Sequence, residues 1–278
     1  MDYKLNEFKA LIFEFMGNGS LQKWLHPNTD GTKQSRNLNL LQRLNVAVDV
    51  ASALQYLHEQ CKNPVIHCGL KPNNVLLDDD MVAHVSDFGL ARLISTANDS
   101  SQSMSSVSTT TRMKGTIGYA PPEYGMGCPA SKEGDAYSFG ILVLEMFSGR
   151  SPIDEIFKDG LNLHSFVKAA LPESLVQIMD PNLLTEEIEE TNAARAATEE
   201  EKEVSNINGN LSKMSAKARS CVVSVLEIGI GCSAESPKER MSMEDVSRQL
   251  NLVRKTYLGI SIHKGRTGEQ FFPCYLNP

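Results

Sequence analysis

The sequence has no long apolar run. Its longest near-continuous stretch, Phe139–Phe147, is nine residues and already contains Glu145. A membrane-spanning helix needs about 20 such residues, so none is expected, and no signal peptide is visible. Met1 is followed by Asp rather than Gly, and Cys274 stands too far from the end for prenylation, so neither common lipidation pattern applies. A basic excess is also lacking. With 27 Lys and Arg against 34 Asp and Glu the net charge is −7, which argues against nucleic acid or an anionic membrane surface as a partner. Much of that charge is local: residues 186–203 carry eight Glu against Arg195 and Lys202, leaving the remainder near neutral. The six cysteines (61, 68, 128, 221, 232 and 274) show neither metal-ligand spacing nor a dense disulfide pattern, so a reducing compartment is expected. Three Asn-x-Ser sequons, at Asn18, Asn98 and Asn210, mean little without secretion.

What is present is enough apolar residue, 41% of 278, to bury a sizeable core. The most informative stretch is Val65–Arg92, V-I-H-C-G-L-K-P-N-N-V-L-L-D-D-D-M-V-A-H-V-S-D-F-G-L-A-R. Two short apolar runs, Val75–Leu77 and Met81–Val85, flank an Asp triplet and predict a tight hairpin. His67, Lys71 and Asn74 precede it and Asp87 follows it. Elsewhere, apolar positions at Leu40, Leu41, Leu44, Ala47, Val48, Ala51, Leu54 and Leu57 trace a helical stripe over 38–60. Residues 131–150 read as a helix apolar on all sides, stopped by Gly149, and an all-round apolar helix is a core helix. Two closing helices are predicted over 213–233 and 243–257, and a helix with a loop over 161–184. Residues 8–16 read as a buried strand, and Ser20 as the N-cap of a short helix through Leu25.

The Val65–Arg92 layout resembles the catalytic loop and metal-binding triplet of eukaryotic protein kinases, H-R-D-L-x-x-x-N followed by D-F-G. His67, Leu70, Asn74, Asp87, Phe88 and Gly89 match; Cys68 and Gly69 do not. A-L-I-F-E-F-M-G-N-G-S-L-Q-K-W-L-H-P resembles the hinge of plant receptor-like kinases, and Gly115–Glu123 the substrate-docking end of an activation segment. The resemblance is closest to plant leucine-rich-repeat receptor-like Ser/Thr kinases. It implies an α+β, protein-kinase-like fold, mainly the helical large lobe, with most of the β-rich small lobe missing. The expected division is 1–16 as the last small-lobe strand and hinge, and 17–257 as the large lobe. Within the latter, 185–212 would be an acidic insertion; 258–278 would be a loosely held tail.

On that resemblance Phe13 is the gatekeeper, and the Glu14 carbonyl and Met16 amide hydrogen-bond the adenine edge over a floor at Leu76. Lys71 neutralises the transferred phosphate, while Asn74 and Asp87 hold Mg²⁺ against ATP. Gly69 stands where the family places the aspartate that orients the substrate hydroxyl and accepts its proton, so impaired transfer is expected. No G-x-G-x-x-G occurs, and Lys4 and Lys9 lack the context of the strand lysine. The resemblance further implies a protein substrate or partner kinase. It implies a cytoplasmic chain here and plasma-membrane receptors with a cytosolic kinase domain in complete members. The lone strand at Ala10–Phe15 should be disordered, aggregation-prone or paired with another chain. Asp135 should accept backbone N–H bonds from the catalytic loop, Arg240 should form a largely buried ion pair with Glu123, and Thr116 should contact the catalytic loop. The Ser- and Thr-rich residues 93–114 would be an activation segment open to phosphorylation, or a solvated loop. The alternative to an enzyme is a catalytically dead binding module or decoy.

Overall fold

The computed structural model describes residues 11–27, 37–94, 115–158, 160–183 and 214–260. The acidic stretch 186–203, most of the Ser- and Thr-rich segment and nearly all of the tail lie outside them.

Chain order gives β1 (Gly19–Ser20), α1 (Gln22–Leu25), α2 (Leu40–Gln55), β2 (Val65–Ile66), β3 (Val75–Leu77), β4 (Ala83–Val85) and β5 (Arg92–Leu93). Helices follow: α3 (Pro122–Gly125), α4 (Lys132–Ser148), α5 (Leu163–Ala170), α6 (Leu175–Ile178), α7 (Ala216–Cys232) and α8 (Met243–Leu258). Among the described residues helices dominate, and the strands form two small antiparallel sheets, β1-β3-β4 and β2-β5.

The centre is α4. Ser131 caps it by accepting the Gly134 N–H, and Gly149, at φ 67°, ends it in the left-handed conformation that glycine adopts at least cost. Every residue from Ser138 through Ser148 is buried, as the all-round apolar pattern predicts. The polar Ser138 is satisfied there, because its Oγ donates to the Tyr119 carbonyl at 2.8 Å. Against α4 lies α7, and the two backbones approach most closely at glycines. A Cβ on Gly140 would come within 2.7 Å of the Gly229 carbonyl, and one on Gly229 within 2.8 Å of Leu144.

Helix α2 packs against α8 and β4. A reciprocal capping box starts it: Asn39 accepts the Gln42 N–H at 2.8 Å, and Gln42 accepts the Asn39 N–H at 3.0 Å. The predicted stripe over 38–60 is α-helical to Gln55, and a π-helical turn, Tyr56–Gln60, carries it on. That turn buries His58. Burying the side chains of Leu44, Leu54, Phe139, Leu142 and Phe147 stabilises the fold by about 1.5–3 kcal/mol each before entropy is counted.

The predicted hairpin forms as β3 and β4, in the register Val75 to Val85 and Leu77 to Ala83. Two expectations at the front of the chain fail. Ser20 is no N-cap: it pairs with Leu76 in the β1-β3 ladder, and α1 has no side-chain cap. Residues 11–16 form no strand, and Leu11, Ile12, Phe13 and Phe15 are 79–95% exposed rather than buried. A strand needs a neighbour to satisfy its backbone, and none of the described residues pairs with this run.

Candidate active site

The catalytic-loop candidates converge between β2 and β3. His67 follows β2 directly and is fully buried. Its Nε2–H donates to the Ser86 carbonyl at 2.9 Å, and its Nδ1 accepts the Gly69 N–H at 3.2 Å. The ring therefore links the loop to the strand end just before Asp87, and it meets Phe88 edge-on at 5.2 Å.

Asn74 ends a 3₁₀ turn, Pro72–Asn74, that Pro72 opens. Its carboxamide nitrogen donates to the Gly69 carbonyl at 2.8 Å and to Asp87 Oδ2 at 3.3 Å. Gly69, Asn74 and Asp87 are thus brought together, as the motif spacing predicts. Asp87 takes a left-handed backbone, φ 63° and ψ 71°, and its Oδ1 accepts the Gly89 N–H. Lys71 is half-buried, its carbonyl accepts the Asn74 N–H at 2.9 Å, and its side chain forms no ion pair with a described residue.

Asp135 supports this loop from below. It is completely buried, a costly position for a carboxylate unless donors surround it. Oδ2 accepts the His67 N–H at 2.7 Å and His58 Nε2–H at 2.9 Å; Oδ1 accepts the Cys68 N–H at 2.8 Å. The expected role of Asp135 is what the structure displays, and His58 shares in it. Cys68, at φ 62°, is held in the left-handed region by these bonds.

Position 69 has room. A Cβ there would meet His67, Asn74 and Leu90 at 3.6–3.7 Å, ordinary van der Waals contact. The loop's shape therefore does not depend on glycine.

The hinge candidates lie apart from this cluster. Glu14 is exposed, Met16 half-buried, and the Met16 carbonyl accepts the Gly19 N–H at 3.0 Å. The run reaches the hairpin through β1 and through Asn18, whose N–H donates to the Leu77 carbonyl at 3.1 Å. Leu76 alternates with buried Val75 and Leu77 and is itself half-buried. No described residue bonds to the Glu14 carbonyl or the Met16 amide.

The long-range pair forms. Arg240 is bidentate on Glu123 at 2.6 and 2.8 Å, across 117 residues, and stacks over Tyr137 at 4.9 Å. Its remaining N–H groups reach the carbonyls of Glu133, Ala234 and Glu235. Burial pushes the Glu123 carboxyl up, but the Arg240 hydrogen bonds and charge outweigh it, and the net shift is below the usual carboxylate range. Thr116 is seen only through its carbonyl, which accepts the Tyr119 and Ala120 N–H groups; the segment approaches the catalytic loop at Gly115, where a Cβ would lie 3.4 Å from the Cys68 carbonyl.

Two buried ionic groups escaped the sequence reading. Arg43 pairs with Asp180 at 2.6 Å and donates to the Leu38 and Met146 carbonyls. Glu145 is fully buried against His26 at 2.8 Å and Tyr119 at 2.5 Å. The available signal was a charge inside an otherwise apolar helical stripe.

Use of ATP and Mg²⁺ is general in protein kinases, and two side chains here bear on the metal. No described group of three or more His, Cys, Asp or Glu could enclose a metal. Asn74 and Asp87 nevertheless juxtapose two hard-oxygen side chains, the sparse donor set Mg²⁺ accepts when phosphates and water complete its shell. No helix among the described residues is long and apolar enough to cross a membrane.

Comparison with known proteins agrees with this geometry. Residues 4–250 match the family model described as protein tyrosine and serine/threonine kinase. A probable leucine-rich-repeat receptor-like serine/threonine-protein kinase of Arabidopsis thaliana is 43% identical over 94% of this chain, which covers 24% of that protein. The receptor kinase-like protein Xa21 of rice is 38% identical over 94% of this chain and 23% of its own length. The receptor-like kinase EFR of Arabidopsis is 40% identical over 92% and 22%. The chain thus spans about a quarter of the length of these relatives. With the catalytic-loop geometry, the Asp135 cradle and the Arg240–Glu123 pair in place, this chain belongs to the protein tyrosine and serine/threonine kinase family and is similar to its plant receptor-like Ser/Thr members.

Proposed function

We propose that the chain carries the large-lobe side of an ATP–Mg²⁺ site for Ser/Thr phosphotransfer, with transfer impaired at Gly69. The observation that carries this is the cluster Gly69–Asn74–Asp87, intact in backbone and metal-side donors but without a proton acceptor at residue 69. In this reading the Glu14 carbonyl and Met16 amide take the adenine edge, and Leu76 lies beneath it. Lys71 offsets phosphate charge, and Asn74 and Asp87 hold Mg²⁺. Bound Mg²⁺ would neutralise charge on the phosphates. Glycine supplies no base to the substrate hydroxyl, and general-base catalysis is worth about 10²–10⁴-fold. The 278 residues also contain no G-x-G-x-x-G to cover the phosphates.

The second reading, a catalytically dead binding module, is favoured by a separate observation. Leu11, Ile12, Phe13 and Phe15 expose apolar side chains on a backbone that pairs with no strand among the described residues, and a strand from another chain could cover them.

Transfer from labelled ATP to casein, with and without Mg²⁺, tests both. The chain is expected to show no transfer, and Gly69→Asp alone none either, although that substitution should fold. Fluorescent-nucleotide titration is the companion measurement: Mg²⁺-dependent binding weakened by Asp87→Asn supports the nucleotide site, and its absence favours the binding module. Any Mg²⁺-dependent transfer by the unsubstituted chain overturns the dead-module reading.

A further inference from the structure

Glu145 lies at 0% exposure in the last turn of α4. Its two oxygens face different segments. Oε1 accepts from His26 Nε2–H at 2.8 Å, just after α1, and Oε2 accepts the Tyr119 hydroxyl at 2.5 Å. Tyr119 belongs to Gly115–Glu123, the segment that the kinase resemblance assigns to substrate docking. One buried carboxylate therefore joins the segment after the hinge to the docking segment.

A carboxylate withdrawn from water needs donors and a counter-charge. Among the described residues no Lys or Arg pairs with Glu145; His26 is the one partner that can become a cation. The surroundings strengthen that demand. Asp154, in the loop after α4, and Asp180, after α6, both act on His26, while Ser151 and Tyr119 offer only hydroxyls. The guanidinium of Arg43, from α2, is already committed to Asp180 at 2.6 Å. Carboxylates thus outnumber fixed cations here.

We propose that His26, Glu145 and Tyr119 form a proton-dependent latch, closed while His26 is an imidazolium and slackened when it is neutral, which positions the docking segment. The Glu145 hydrogen bond holds His26 above its usual 6.5, outweighing the opposing effect of burial. The sign follows. A raised folded-state value means that the latch contributes fully below pH 6.5 and is lost as pH rises through the folded value.

The test is a histidine-ring NMR titration of the full chain, with hydrogen exchange of residues 115–124 followed over the same pH range and corrected for the intrinsic rate. His26 should titrate above 6.5. Protection of the docking segment should fall as pH passes that point, by up to about tenfold for each unit His26 is raised. His26→Gln should be unprotected and flat with pH, and His26→Arg protected and flat. The His26 side chain is 26% exposed, so both variants should fold. Titration of His26 at or below 6.5, or a wild-type pH profile in either variant, overturns the latch. These readouts need no transfer activity, so they stand apart from the phosphotransfer reading.

Discussion

Arg240 shows how much one side chain can hold. Its guanidinium ties Glu123, at the end of the Gly115–Glu123 segment, to carbonyls around the start of α4 and the turn after α7. Arg240→Ala would leave the Glu123 carboxylate and those carbonyls without their donor, at a cost of about 3–5 kcal/mol read by urea unfolding. Acid should do part of the same. Because Glu123 is held below its ordinary 4.5, its contribution is present above that value and lost as pH falls through the depressed one. The wild-type chain should therefore lose stability in that acid range, and Arg240→Ala should lose less. Equal acid sensitivity in the two would refute the assignment. At this scale the sequence was most legible where a motif named both partners, as with Glu123 and Arg240 or Asp135 and the catalytic loop. Arg43 and Glu145 were not legible, because each pairs with a residue that no local pattern marks.

Among the described elements, α4 and α7 share the most extensive contact. Gly140→Ala would press a methyl against the Gly229 carbonyl and the Ser233 nitrogen, both at 2.7 Å, where backbone cannot yield cheaply. Overpacking of this kind costs about 1–3 kcal/mol, measurable as a lowered thermal midpoint. A midpoint equal to wild type would mean that the helices can separate. Both helices were legible from apolar pattern, and α4 also from its terminal glycine; their contact was not, since a glycine inside a helix does not say what approaches it. Ser20 failed for a related reason. Serine suits an N-cap, but the Leu76 backbone offers a ladder partner, and pairing prevails.

For the whole molecule, the exposed run at Leu11, Ile12, Phe13 and Phe15 is the prominent liability. Exposed apolar side chains, on a backbone that no described strand pairs, favour association. Phe13→Ser with Phe15→Ser should reduce concentration-dependent self-association, followed by light scattering, while leaving the thermal midpoint near wild type because neither ring is packed. A large drop in the midpoint would show that the run is part of the core. The apolar pattern of residues 8–16 predicted a buried strand, and its described part, 11–16, is instead exposed and not a strand, because burial also requires something to bury against.

The sequence by itself determined the family, the order of the helices, the β3–β4 hairpin and the absence of a side-chain base at residue 69. These depend on local periodicity and on motif spacing, which the chain carries along its length. Only the tertiary structure decided which charges are buried together, where α4 and α7 touch, and that Leu11–Phe15 finds no partner among the described residues. Such outcomes depend on segments far apart in the chain meeting in space, and on whether each finds a neighbour able to satisfy its backbone, its charge or its apolar surface.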